Sequence, residues 1–72
     1  MKKEYKEKLE REANLFSCLI EEKKDMLSHI FHKGQLDGFR WALACIGYGL
    51  MEIGTDEMAG VKFTRYKIVK KE

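Results

Sequence analysis

Asp25, His29 and His32 stand at D-x3-H-x2-H spacing, which on a helix gathers the three side chains on one side, within reach of a single metal ion. A tetrahedral site needs a fourth donor, and the sequence holds no further histidine and no Cys-x-x-Cys pair to supply one. Unless a second copy completes the set, His29 and His32 read as surface groups, and no metal or other cofactor is expected. Cys18 and Cys45 are the candidate nucleophiles. A thiol attack requires a positioned base, which neither histidine provides, and Cys45 sits among small residues where it behaves as a compact apolar group. Glycines 34, 38, 47, 49, 54 and 60 neither follow an expected strand nor lead into the Gly-Lys-Ser/Thr ending of a phosphate-cradling loop. No enzymatic activity is expected.

The elements that would position these residues are mainly helical. Counted from Leu9 at 100° per residue, Tyr5, Ala13, Phe16, Leu19, Ile20, Leu27, Ile30 and Phe31 all fall within about 80° of it, so residues 3–33 read as one amphipathic helix. Glu21-Glu22-Lys23-Lys24-Asp25 interrupts the stripe, either as a solvated stretch or as a local break, and an uninterrupted helix is the reading adopted. Residues 36–53 read as a second helix with apolar residues all round it: Phe39, Trp41, Leu43, Ile46, Tyr48, Leu50, Met51 and Ile53. A helix apolar on every side needs more cover than one neighbouring helix can give. Gly34 as a helix-ending residue with Asp37 as the next cap would make a helical hairpin; continuity through Gly34 would make one long helix.

Gly34, Gly38, Ala42, Cys45 and Gly49 recur at helical spacing within about 80° of one another, a stripe of small residues that lets a second backbone approach closely. With Trp41 they form the expected self-association surface. Residues 54–60 read as a loop, and 61–70 as a short strand rich in β-branched and aromatic residues. That strand has no evident partner in the chain. It is expected to find its hydrogen bonds in another chain or to pack along the helices as an extended tail.

A chain of 72 residues bounds all of this to a single small domain, of a size that usually leans on a staple, a metal or a partner subunit. The longest uncharged run, Trp41 to Met51, is far short of the roughly 20 apolar residues of a bilayer span, and no secretory leader precedes the cysteines. A cytoplasmic protein with reduced thiols and no membrane partner is expected. The formal net charge is +2, yet residues 61–72 carry Lys62, Arg65, Lys67, Lys70 and Lys71 against Glu72 alone. Within that tail Lys62, Phe63, Arg65, Tyr66 and Lys67 interleave cations with aromatics. They are the expected partner-binding residues, for a protein target first and for nucleic acid as the alternative.

The segment Lys33-Gly34-Gln35-Leu36-Asp37-Gly38-Phe39-Arg40-Trp41-Ala42-Leu43 resembles a pattern in small helical proteins encoded by bacteriophages and other mobile elements. The resemblance covers 11 of the 72 positions. It implies an accessory protein working in a bacterial host cell, a class that includes inhibitors of host machinery and of defence systems such as CRISPR. Inhibitors that imitate nucleic acid are strongly acidic and this chain is slightly basic, so a direct blocker or sequestering binder is the implied type. The expected fold is therefore mainly α: a helical hairpin, or one long helix, followed by a short C-terminal strand and assembled as a homodimer. The expected function is a non-enzymatic, self-associating protein-binding module.

Overall fold

The structure, a computed structural model, describes residues 1–22 and 25–71. Two helices are followed by an antiparallel hairpin: α1 Lys3–Glu22, α2 Met26–Cys45, β1 Tyr48–Met58 and β2 Val61–Lys70. The fold is thus α+β, which corrects the mainly α expectation. The correction comes from β1, which occupies residues assigned above to the end of a helix and to a loop.

Each boundary has a local cause. Asp25 is the N-cap of α2, extended at φ −75° and ψ 142°, with its carboxylate accepting the Leu27 N–H at 3.1 Å. A single helix over 3–33 is therefore not formed; its passage through Lys23 and Lys24 lies outside the described residues. Gly34 and Gly38 stay inside α2, so neither a stop at Gly34 nor a cap at Asp37 occurs. The stop comes at Gly47, where φ is +85°, a left-handed conformation that glycine adopts without a Cβ penalty, and its N–H bonds Ala44 C=O at 3.2 Å. Tyr48 to Ile53 then run as strand. Ala59 and Gly60, both at positive φ, close the hairpin as a two-residue turn.

β1 and β2 pair along their whole length, from Tyr48 opposite Lys70 to Met58 opposite Val61, with one register shift between Glu52 and Gly54 that leaves Ile53 as the extra residue. The lone strand of the sequence reading thus has an intrachain partner. On one face of the hairpin Tyr66 and Ile68 are buried, and Tyr66 joins Ala13 of α1 and Leu36 of α2 in a core flanked by Phe16, Ile20, Phe39 and Leu50. The rings of Phe16 and Phe39 meet edge to face at 6.0 Å, and the Arg40 guanidinium lies 5.0 Å from the Tyr66 ring centre.

α1 lies along the outer edge of β2. Glu10, Asn14 and Ser17, at i, i+4 and i+7, form one helical row facing that edge. Ser17 Oγ donates to Thr64 C=O at 2.6 Å, Asn14 both accepts from and donates to the Tyr66 backbone, and Glu10 accepts the Ile68 N–H at 2.9 Å. The helix thereby does for β2 what a third strand would do, satisfying polar groups that burial would otherwise orphan.

Candidate protein-interaction surface

α2 has two opposed apolar faces. Leu36 and Leu43 point into the core. Half a turn away, counted at 100° per residue, Leu27, Ile30, Phe31, Gly34, Gly38, Trp41 and Cys45 occupy an outward stripe about 100° wide, with Ala42 at its margin. Its large members are among the most exposed apolar residues described: Leu27 at 79%, Trp41 at 73%, Phe31 at 61% and Ile30 at 59%. Lys33, Asp37 and Arg40 all fall to one flank, so the stripe itself carries no cation. Between the large residues, a Cβ added at Gly34 or Gly38 would meet nothing within 4 Å. Small residues form the floor of the stripe and bulky ones its ends.

Of the six residues expected to mediate self-association, Gly34, Gly38, Trp41, Ala42 and Cys45 thus share one exposed helical face. Gly49 does not join them. It lies in β1, buried, and a Cβ there would run into the Lys71 side chain. Leu27, Ile30 and Phe31 had been assigned to the buried stripe of the first helix. The Asp25 cap restarts the helix, and they belong instead to this outer face.

The five expected partner-binding residues are dispersed. Phe63 and Tyr66 are buried. Arg65 donates to Asp56 at 2.7 Å, and Lys62 stands opposite Glu57 across the hairpin. Lys67 remains exposed on the face that carries Met51. The premise that made β2 an association edge, a strand without a partner, is removed by β1 on one side and by α1 on the other.

The remaining candidates are held by local contacts. His32 Nδ1 is 2.9 Å from Gln35 Oε1, Asp25 caps α2, and His29 is exposed. Among the described residues no group of three or more His, Cys, Asp or Glu side chains could hold a metal ion. Cys18 is buried and Cys45 exposed, both as free thiols. Burial first, and the nearby Glu22 carboxylate second, push the Cys18 thiol above its ordinary value. No helix among the described residues is long and apolar enough to cross a membrane. The Glu10, Asn14 and Ser17 clamp escaped the sequence reading, because polar residues beside an apolar stripe look like a solvated margin.

Compared with protein families, with curated proteins and with solved structures, the chain matches none.

Proposed function

We propose that the protein is a non-enzymatic, self-associating interaction module in which the outer face of α2 packs against the same face of a second copy. The observation that carries this reading is the coincidence of Leu27, Ile30, Phe31 and Trp41, each more than half exposed, with the small residues Gly34, Gly38 and Cys45 on one stripe. Aromatic side chains contribute about 150–250 Å² each to an interface, so Phe31 and Trp41 offer on the order of 250 Å² between them. Leu27 and Ile30 extend the patch into the roughly 300–600 Å² range of the largest apolar patch of an ordinary monomer. Gly34 and Gly38 lie near the middle of α2, where two crossing helices come closest, and the bulky residues stand to either side.

The alternative use of the basic 61–71 segment on nucleic acid is weakened by the hairpin. Asp56 and Glu57 of β1 lie against Arg65 and Lys62 of β2, which lowers the field a phosphate backbone would meet. The segment resembling phage accessory proteins, 33–43, lies within α2 and supplies part of its outer face, so in this reading its pattern serves pairing between copies. A cytoplasmic site of action fits the two free thiols.

Light scattering after size exclusion tests the proposal. The wild type is expected at twice the chain mass at micromolar concentration, and Trp41→Glu at the chain mass with an unchanged helix signal. A monomeric wild type removes the reading.

A further inference from the structure

The two edges of the hairpin are treated differently. Along β2 the outward Thr64 C=O, both outward groups of Tyr66 and the outward Ile68 N–H are bonded by side chains of α1. Their pairing partners across the hairpin are Thr55, Glu52 and Leu50. In an antiparallel pair, residues directly opposite each other turn their polar groups the same way relative to the ladder, both inward or both outward. Leu50 and Glu52 before the extra residue, and Thr55 after it, therefore present N–H and C=O groups on the outer edge of β1. Among the described residues the hydrogen bond found at the far end of that edge is local, from Glu57 N–H to Asp56 Oδ1 at 2.8 Å. Every side chain from Met51 to Met58 is exposed, including the large apolar Met51, Ile53 and Met58.

The surroundings of this edge specify what would fit it. Met51 and Met58 share the face of the hairpin that carries Phe63 and Arg65, and Met51, Ile53 and Met58 are all about half exposed along β1. Residues of an added strand on that face would rest against apolar surface. On the opposite face stands Glu52, whose cross-strand neighbour is Tyr66 and not a cation. β1 holds Glu52, Asp56 and Glu57 and no Lys or Arg, so a second β1 laid against it would gather carboxylates along one seam, an unfavourable arrangement.

We infer that the outer edge of β1 accepts, as a third strand, an extended segment of another polypeptide that alternates apolar residues with lysine or arginine, the apolar ones toward Met51 and Ile53 and a cation beside Glu52. Main-chain hydrogen bonds to Glu52 and Thr55 hold such a segment, and the two faces select its side chains. The site shares no residue with the outer face of α2, so it stands whether or not copies pair there.

The probe is a blocked heptapeptide in which valine alternates with lysine and threonine, compared with the same peptide N-methylated at alternate amides. Amide exchange at Glu52 and Thr55 is expected to slow when the unmethylated peptide is added and to stay unchanged with the methylated one. Thr55→Pro removes one outward donor without touching the β1–β2 ladder, and is expected to weaken peptide binding about three- to tenfold, the loss of one hydrogen bond. Glu52→Gln is expected to weaken it less and to make it insensitive to salt. The inference fails if exchange at Glu52 and Thr55 is unaffected, or if the methylated peptide binds equally well. It also fails if those amides are already protected at high protein concentration without peptide, which would mean that a second copy holds the edge. Should Thr55→Pro not fold, the exchange comparison on the wild type still decides.

Discussion

The carboxamide of Asn14 meets both backbone polar groups of one distant residue: Oδ1 accepts the Tyr66 N–H at 2.7 Å and Nδ2 donates to the Tyr66 C=O at 3.3 Å. Asn14→Ala leaves both groups at a partly buried edge without partners, and is expected to destabilise the fold by about 1–3 kcal/mol. Asn14→Asp keeps the acceptor and loses the donor, and should fall between the two. Urea denaturation of the three proteins orders them; equal midpoints would mean that water replaces the clamp at no cost.

Gly38 separates the stability of the single chain from that of the assembly. With nothing within 4 Å of its Cβ position, Gly38→Ala should raise the melting temperature of the dilute chain, because glycine inside a helix costs ~1 kcal/mol relative to alanine. Gly38→Leu also fits the single chain, yet overpacks a close helix crossing by roughly 1–3 kcal/mol and should shift the mass toward the monomer. Light scattering that finds the leucine variant fully associated would place the interface elsewhere.

Asp56 gives the hairpin a pH dependence. The backbone N–H of Glu57, and after it the Arg65 guanidinium, hold its carboxyl below the ordinary value. A carboxyl whose folded-state value is lowered adds stability that is fully present above its unfolded value, near ~3.9, and is lost as pH falls through the folded value. The wild type should therefore exceed Asp56→Asn by a constant margin between neutral pH and about pH 5, with the gap closing below about pH 4. Melts across that range check it, and a gap that widens in acid would reverse the sign.

The two thiols should differ in reactivity. Thiolate is the attacking form, and burial disfavours it at Cys18. Iodoacetamide is expected to label Cys45 in the native protein and Cys18 only with denaturant, as peptide mass mapping would show. Cys45 lies on the outer face of α2, so its labelling should slow as protein concentration rises. A rate independent of concentration would count against pairing there.

Spacing placed most of the proposed interaction surface on one helical face, because Gly34, Gly38, Trp41, Ala42 and Cys45 share a face wherever the helix begins. Gly49 was lost with the assumption that the helix runs past Gly47. The β-branched and aromatic tail was legible as a strand. Its partner was not, since the extra residue at Ile53 breaks the alternation of β1, and Tyr48 to Ile53, read on a helical wheel, simulates a helix apolar all round. The cap at Asp25 was present in the sequence, but apolar periodicity carried across it and outweighed it. Glu10, Asn14 and Ser17 gave no sign of their role, because their targets are backbone groups 47 to 58 positions away.

That α1, the first element of the chain, is fastened to β2, the last, orders events during synthesis. A ribosome delivers the chain from its N-terminus at about 5–20 residues per second, and α1 has no docking edge until Ile68 has left the exit tunnel. For that interval the nascent chain holds two helices with no sheet beneath them, and the core-facing side of α2 is as bare as its outer side. Closing contacts of such long range is slow for a chain this short. Completion of the core therefore waits on the most distant contacts of the fold, those that join α1 to β2.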